Sequence, residues 1–233
     1  MNYNKMVYKN ILNDKYAKER FKIFKSLLNP FIKKDVKVLD IGCYMGDTIK
    51  IFGHKNIKYY GVDFDKKALK IAKKRGAFKV FKVNLENEKI KLNEKFDIII
   101  LAEILEHLKD PEKLILQTKK LLNKKGVVLI SLPNESTIYH RIKMVFGNSV
   151  DATGFAADYH LHFPTIKQDN EFIEKHFKII SRRYWIHLGV SDKIEKGLSL
   201  IPKRVWDELT YSMPSLFSRG IIFLCKLKTN KDN

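Results

Sequence analysis

The chain has 233 residues and is strongly basic, with 45 Lys and Arg against 26 Asp and Glu and a formal net charge of +19 at pH 7. Hydrophobic residues make up 45% and charged residues 30%, proportions that exclude both a disordered polyelectrolyte and a membrane-embedded chain. The charge does not by itself establish a nucleic-acid ligand: the basic residues are 38 Lys and only 7 Arg, and the acid–base surplus is 15 in residues 1–125 but only 4 thereafter.

Residues 14–28 read as an amphipathic helix with Ala17, Phe21, Phe24 and Leu28 on one face, closed by Pro30. The run VKVLDIG is a short buried strand ending in glycine, and KYYGVDF is a second strand. DKKALKIAKKRG is a helix that Asp65 is placed to cap and Gly76 to stop. FKVFKVN and FDIIILA are further strands. DPEKLILQTKKLLNKKG is a helix with Asp110 as N-cap, Pro111 at its first position and Gly126 just past its end, followed by GVVLISLP as the fifth strand.

Beyond Pro133 the rhythm changes. NESTIYHRIKMVFG reads as a helix and GNSVDATGFAADYHLHFP as a loop long enough to form a lid. A Thr165-x-x-Gln168 capping box opens TIKQDNEFIEKHF. KIISRRYWIHLG and RGIIFLCKLK are the last two strands, connected so that they can lie antiparallel. The expectation is an α/β, Rossmann-like, doubly wound sheet of seven strands, mostly parallel with an antiparallel last strand. All 233 residues are read as one domain: a helical cap (1–35), a ligand-binding core (36–135), and a lid and acceptor region with the last two strands (136–233).

No apolar stretch of signal-peptide type opens the chain, and the longest apolar runs are strand-sized, so no transmembrane segment is expected. The stretch 197–218 is expected to cover the core, with peripheral membrane contact as the other reading. Cys43 and Cys225 make neither a metal spacing nor a disulfide framework, which points to a reducing, cytoplasmic setting.

Open α/β sheets bind ligands beyond the carboxyl ends of their strands, where strand order reverses. The first strand ends in Asp40-Ile-Gly42-Cys-Tyr-Met-Gly46, whose glycines admit close backbone approach, with a helix start expected to add its dipole. Asp63 ends the second strand, 23 residues after Asp40, a spacing that suits an acid bonding a ribose. Asn84 follows the third strand, with an amide able to pair with a purine edge. Here the chain resembles the class I S-adenosylmethionine-dependent methyltransferases. VLDIGCYMG is similar to their glycine-rich first motif, YYGVDFD to the second, FKVNLE to the third, and FDIIILAEILEHLKDPEKLI…LLNKKGVVLISLPN to the long stretch through strands four and five.

The resemblance implies S-adenosyl-L-methionine as cofactor. It implies that Asp40, Gly42 and Gly46 hold its methionine end, that Asp63 binds the ribose with Phe64 against adenine, that Asn84 and the Leu85 backbone meet the adenine edge, and that Ala102 faces the sulfonium. Tyr44 departs from the pattern, standing at the middle glycine. A positive φ would cost a tyrosine ~1–2 kcal/mol, so the expectation is a negative φ with the ring covering cofactor or acceptor pocket.

An oxygen nucleophile needs a base or a metal to lose its proton. In Glu103-Ile-Leu-Glu106-His107, the residues Glu103, Glu106 and His107 would share one face if helical. Three readings stand: His107 or Glu103 as general base; Glu103, Glu106 and His107 joining His160 or His162 around Mg²⁺ or Mn²⁺, similar to the metal site of small-RNA 2′-O-methyltransferases; or a metal-free, structural role, as in relatives resembling ubiquinone-biosynthesis O-methyltransferases. His160 and His162 alternate if extended, so only one can face the crevice. His54, His140, His176 and His187 read as surface or satisfied residues. Arg182, Arg183, Tyr184 and Trp185 could stack RNA bases, although a strand splits the two arginines between faces. The expected function is O-methylation of a small molecule, sugar or lipid-linked glycan. The rivals are a metal-dependent RNA 2′-O-methyltransferase and a non-catalytic cofactor-binding subunit.

Overall fold

The computed structural model describes residues 15–53, 57–149, 160–186 and 201–229. Its strands are β1 (Val36–Ile41), β2 (Ile57–Asp63), β3 (Lys79–Lys82), β4 (Phe96–Ala102), β5 (Leu122–Pro133), β6 (Phe177–Ile186) and β7 (Ser218–Leu227). They form one sheet in the order β3-β2-β1-β4-β5-β7-β6. β1 to β5 pair in parallel, and β7 runs antiparallel to both β5 and β6. The expected seven-stranded sheet with an antiparallel last strand is therefore present. Order reverses between β1 and β4, so the carboxyl ends of these two strands flank the crevice.

The period of two along each strand divides the core. Val36 and Val38 of β1 pack on one face with Phe24 and Leu28 of α1 (Lys15–Leu28), while Leu39 and Ile41 pack on the other with Ile99 and Leu101 of β4. Ala17, Phe24 and Leu28 of the predicted helix face are buried, and Pro30 sits in a 3₁₀ turn, Asn29–Phe31, that ends the helix.

Local capping follows the sequence. Asp65 accepts from Lys67 N and Ala68 N at 2.7 and 3.1 Å to start α3 (Lys66–Lys74). Asp110 accepts from Lys113 N at 3.1 Å to start α4 (Pro111–Leu121). The Thr165–Gln168 capping box opens α6 (Ile166–His176).

Three expectations change. The helix after the glycine loop, α2 (Ile49–Phe52), is a single turn, so it lends little dipole. α4 ends at Leu121 rather than near Gly126, because buried Leu122 already pairs with Phe96 and starts β5 early, at the cost of a register shift. Glu103–His107 does not form an α-helix. Glu103 has φ 51°, and only the 3₁₀ turn Leu105–His107 follows.

Downstream, α5 (Ile138–Val145) lies within the segment expected to be helical. The 197–218 stretch contains α7 (Lys203–Ser212) and α8 (Pro214–Phe217). Most of the expected lid (150–159) and residues 187–200, with His187, lie outside the described residues, as does His54. No helix among the described residues is long and apolar enough to cross a membrane. Cys43 and Cys225 are both buried and free.

Candidate active site

The glycine loop closes directly on β2. Gly42 N and Cys43 N both donate to Val62 O, at 2.8 and 3.0 Å, and Tyr44 N donates to Asp63 Oδ2 at 2.8 Å. Gly42 and Gly46 adopt φ 78° and 70°. A Cβ on Gly42 would lie 2.9 Å from Ile104 Cδ1, and one on Gly46 would lie 2.9 Å from Ile49 Cδ1 and 3.0 Å from Ala72 Cβ. The loop is therefore a close-fitting cradle that only glycine can line at both places. Tyr44 does not take the expected negative φ. It stands at φ 46°, because its N–H is held by Asp63 in the turn that a third glycine would otherwise make. Arg75, past the end of α3, fixes the far side of the loop through Met45 O at 3.0 Å and Asp47 Oδ1 at 2.6 Å.

Asp40 lies beneath this loop, 1% exposed, and accepts from Tyr59 Oη at 2.5 Å and from the Thr48 hydroxyl. Burial raises its pKa to about 6 against the opposing pull of these two bonds. The carboxylate is thus a strut under the cradle. Asp63 is also buried, which lifts its pKa, while bonds from Asp65 N and Tyr44 N work the other way. Phe64 beside it is 41% exposed at the crevice rim. Asn84 is exposed, its Oδ1 accepting from Glu86 N at 3.1 Å, and Leu85 is half-buried against the core. Ala102 ends β4 and pairs with Ser131.

Across the crevice, the acid–imidazole residues separate into two groups. Glu103 accepts from Ser131 Oγ at 2.8 Å and pairs with Arg20 of α1 at 2.9 Å. Glu106 is turned inward, 1% exposed, with His107 Nε2 and His160 Nε2 each 4.0 Å from its Oε1. Burial, and after it the charge of Glu103, pushes its pKa well up. The two imidazole rings meet edge-on, 4.8 Å between centroids. One ligand atom from each of Glu106, His107 and His160 lies within 4.8 Å of the others, the spread of a group able to hold a metal ion. Glu135 orients His160, with Oε1 3.3 Å from Nδ1. Burial works to raise the Glu135 pKa, but the His160 bond and the charges of Arg219, His140 and His160 hold it low. His162 turns away from this group and bonds Leu108 O at 2.8 Å.

Four contributors were not singled out by sequence: Arg20, Glu135, Asp169 and the Thr48–Tyr59 pair. A signal existed for two of them. Arg20 is three residues from Ala17, on the apolar face of α1, and Asp169 shares the buried face of α6 with Ile166 and Ile173. The arginine–aromatic patch does not form. Arg182 bonds Asn170 Oδ1 at 2.6 Å and Glu174 on α6, and Trp185 is 3% exposed in the core. His140 and His176 are buried beside Glu135 and Glu112.

Comparison with known proteins identifies the family and the fold. Residues 14–188 match a family described as a methyltransferase domain. A ubiquinone biosynthesis O-methyltransferase of Pelagibacter ubique is 32% identical over 131 residues, 54% of this chain and 55% of that protein. A second protein of that name, from Haemophilus ducreyi, is 30% identical over 126 residues, 50% of this chain and 52% of the relative. The matches span about half the length of these curated relatives. Among solved structures, N-methyltransferase NodS of Bradyrhizobium japonicum WM9, in complex with S-adenosyl-L-homocysteine, superposes with a TM-score of 0.58 at 16% identity, covering 94% of this chain and 91% of that one. The chain belongs to the methyltransferase-domain family and carries the class I, S-adenosylmethionine-dependent methyltransferase fold.

Proposed function

We propose that this protein transfers the methyl group of S-adenosylmethionine to a hydroxyl oxygen of a small molecule. The observation that carries the reading is the glycine cradle after β1, where Gly42 packs against Ile104, together with an acid–imidazole group in the segment after the neighbouring strand β4. When bound, S-adenosylmethionine supplies an electrophilic methyl on a sulfonium. The backbone of Gly42 and Gly46 approaches its methionine end, with Asp40 bracing the loop from below through Thr48 and Tyr59. Asp63 takes the ribose hydroxyls on the carboxylate lone pairs left by Tyr44 N and Asp65 N. Phe64 covers the adenine, while Asn84 and the Leu85 backbone meet its edge and Ala102 lies toward the sulfur.

Bound S-adenosylmethionine would supply the methyl group to the acceptor oxygen and leave as S-adenosylhomocysteine, its sulfur keeping the carbon–sulfur electron pair, so the protein's own task is to hold the acceptor hydroxyl and take its proton. The hydroxyl proton leaves to an imidazole, His107 or His160, with Glu135 stabilising His160 in the orientation that receives it. Glu103, held by Ser131 and Arg20, shapes the wall beside them, and His162 anchors the adjoining segment to Leu108. The names of the curated relatives support oxygen over nitrogen as the acceptor atom. Incubation with S-adenosylmethionine and a hydroxyl-bearing acceptor panel, read as S-adenosylhomocysteine release, tests it. Turnover confined to amines would reject the oxygen assignment.

A second reading has one observation in its favour. The donor set of Glu106, His107 and His160 suits a divalent first-row cation, which would lower the pKa of a bound acceptor hydroxyl in place of a free base. Turnover that persists in EDTA, with no bound ion by metal analysis, would remove that reading.

A further inference from the structure

Beyond the carboxyl ends of β4 and β5 lies a cavity of about 350 Å³. Its walls are mainly apolar, from Leu105, Leu132, Phe163 and Phe172, with two prolines at the rim. Two carboxyl side chains line it as well, Glu106 at 1% and Asp169 at 2% exposure. Neither oxygen of Glu106, nor Oδ2 of Asp169, has a hydrogen-bond partner among the described residues. Leaving a buried polar atom unpartnered is costly, and here three such oxygens, on two carboxyl groups, belong to one cavity lining.

The main chain around these groups is satisfied. Glu106 O accepts from Leu161 N and His162 N, and Asp169 N donates to Thr165 O. The deficit is therefore confined to two carboxyl side chains that line a space of ligand size; burial favours the protonated form of both, and each keeps a carbonyl oxygen that a ligand's donor would satisfy. No Lys or Arg lines the cavity, and His162 is already bonded to Leu108 O, so nothing there balances an anion. An apolar cavity of ~150 Å³ is enough for benzene, so this one has room for a substituted ring.

We infer that this cavity is the acceptor subsite, and that Asp169 selects an acceptor with an apolar, ring-sized body bearing a hydrogen-bond-donating hydroxyl. The inference rests on the methyl-transfer reading and adds the class of acceptor and the residue that recognises it. Glu106 supplies a second acceptor atom on the same wall. Asp169 is a binding residue here, on the rigid first turn of α6 fixed by the Thr165–Gln168 box.

The test is a ligand series followed by NMR titration of the wild-type protein, with and without S-adenosylhomocysteine: p-cresol, toluene, 4-methylbenzoate and 4-methylbenzylamine. The expected result is saturable p-cresol binding about tenfold tighter than toluene, the equivalent of one satisfied hydrogen bond, with benzoate weaker than p-cresol by at least the same factor. D169L removes the advantage of p-cresol over toluene, while D169N, whose amide oxygen still accepts, keeps it. The wild-type series reads the preference even if D169L does not fold.

Equal binding of p-cresol and toluene overturns the inference, as does benzoate binding that matches p-cresol, or an unchanged preference in D169L. Tighter binding of the amine overturns the hydroxyl assignment. Wild type that binds S-adenosylhomocysteine but shows no p-cresol preference loses this inference and keeps the methyl-transfer reading. Wild type that binds no S-adenosylhomocysteine loses both.

Discussion

Arg20 Nη1 on α1 stands 2.9 Å from Glu103 Oε2 at the end of β4, tying the N-terminal helix to the floor of the crevice. Both side chains are largely withdrawn from water, with 17% and 22% exposure, so screening weakens the pair less than it would a surface bridge. A double-mutant cycle with R20M and E103Q, read by urea denaturation, is expected to give a coupling energy of about 1–2 kcal/mol. Additive single effects would show that the contact does not hold α1 in place.

Tyr44 at φ 46° occupies a backbone region that costs a tyrosine ~1–2 kcal/mol, offset in a glycine variant by ~0.4–1 kcal/mol of unfolded-chain entropy. Y44G is therefore expected to raise stability by about 0.5–1 kcal/mol, measured as a rise in Tm. A fall of that size would mean that the tyrosine ring contributes packing that outweighs the strain.

Asp40 makes stability depend on pH in a stated direction. The folded protein holds the carboxyl proton up to about pH 6, whereas an unfolded aspartate releases it near its ordinary 3.8. Folding stability from this group is therefore highest below pH 3.8, falls as pH rises through that window, and is level above it, by on the order of 3 kcal/mol in all. D40N should remove that part of the profile, so that the variant gains on wild type between pH 4 and 6. Parallel profiles across the window would contradict the burial of this group as an acid.

His160 is aimed by Glu135 toward Glu106 and His107. If it receives the acceptor proton, H160Q should lower kcat by ~10²–10⁴ with little change in the affinity for S-adenosylhomocysteine. E135Q should shift the pH profile of kcat and lower kcat less. Unchanged turnover in H160Q would move the proton acceptor elsewhere.

The sheet was legible because its strands are punctuated by helices whose starts carry explicit chemistry, Asp65 before β3, Asp110 before β5 and Thr165 before β6, although no helix separates β3 from β4. The glycine turn and its tie to β2 were legible as positions, since Gly42, Gly46 and Asp63 follow or end consecutive strands. The acceptor side was less so. The spacing of Glu103, Glu106 and His107 suggested a helical face, but the reversed φ at Glu103 sends its carboxylate to Arg20 and leaves Glu106 with His107 and His160. That partition depends on Arg20 and Ser131, which are far apart in sequence, and no local period encodes it. Strand β5 began four residues early for a similar reason, because Leu122 found a partner in Phe96 that helical spacing could not announce.

The most direct test of the central claim is calorimetry of S-adenosylhomocysteine with wild type and D63A. The cradle and the buried Asp63 predict one site in wild type and at least about tenfold weaker binding in D63A, with both proteins folded. Absence of binding to folded wild-type protein, or equal binding by the two, would contradict the assignment of this crevice to the methyl donor.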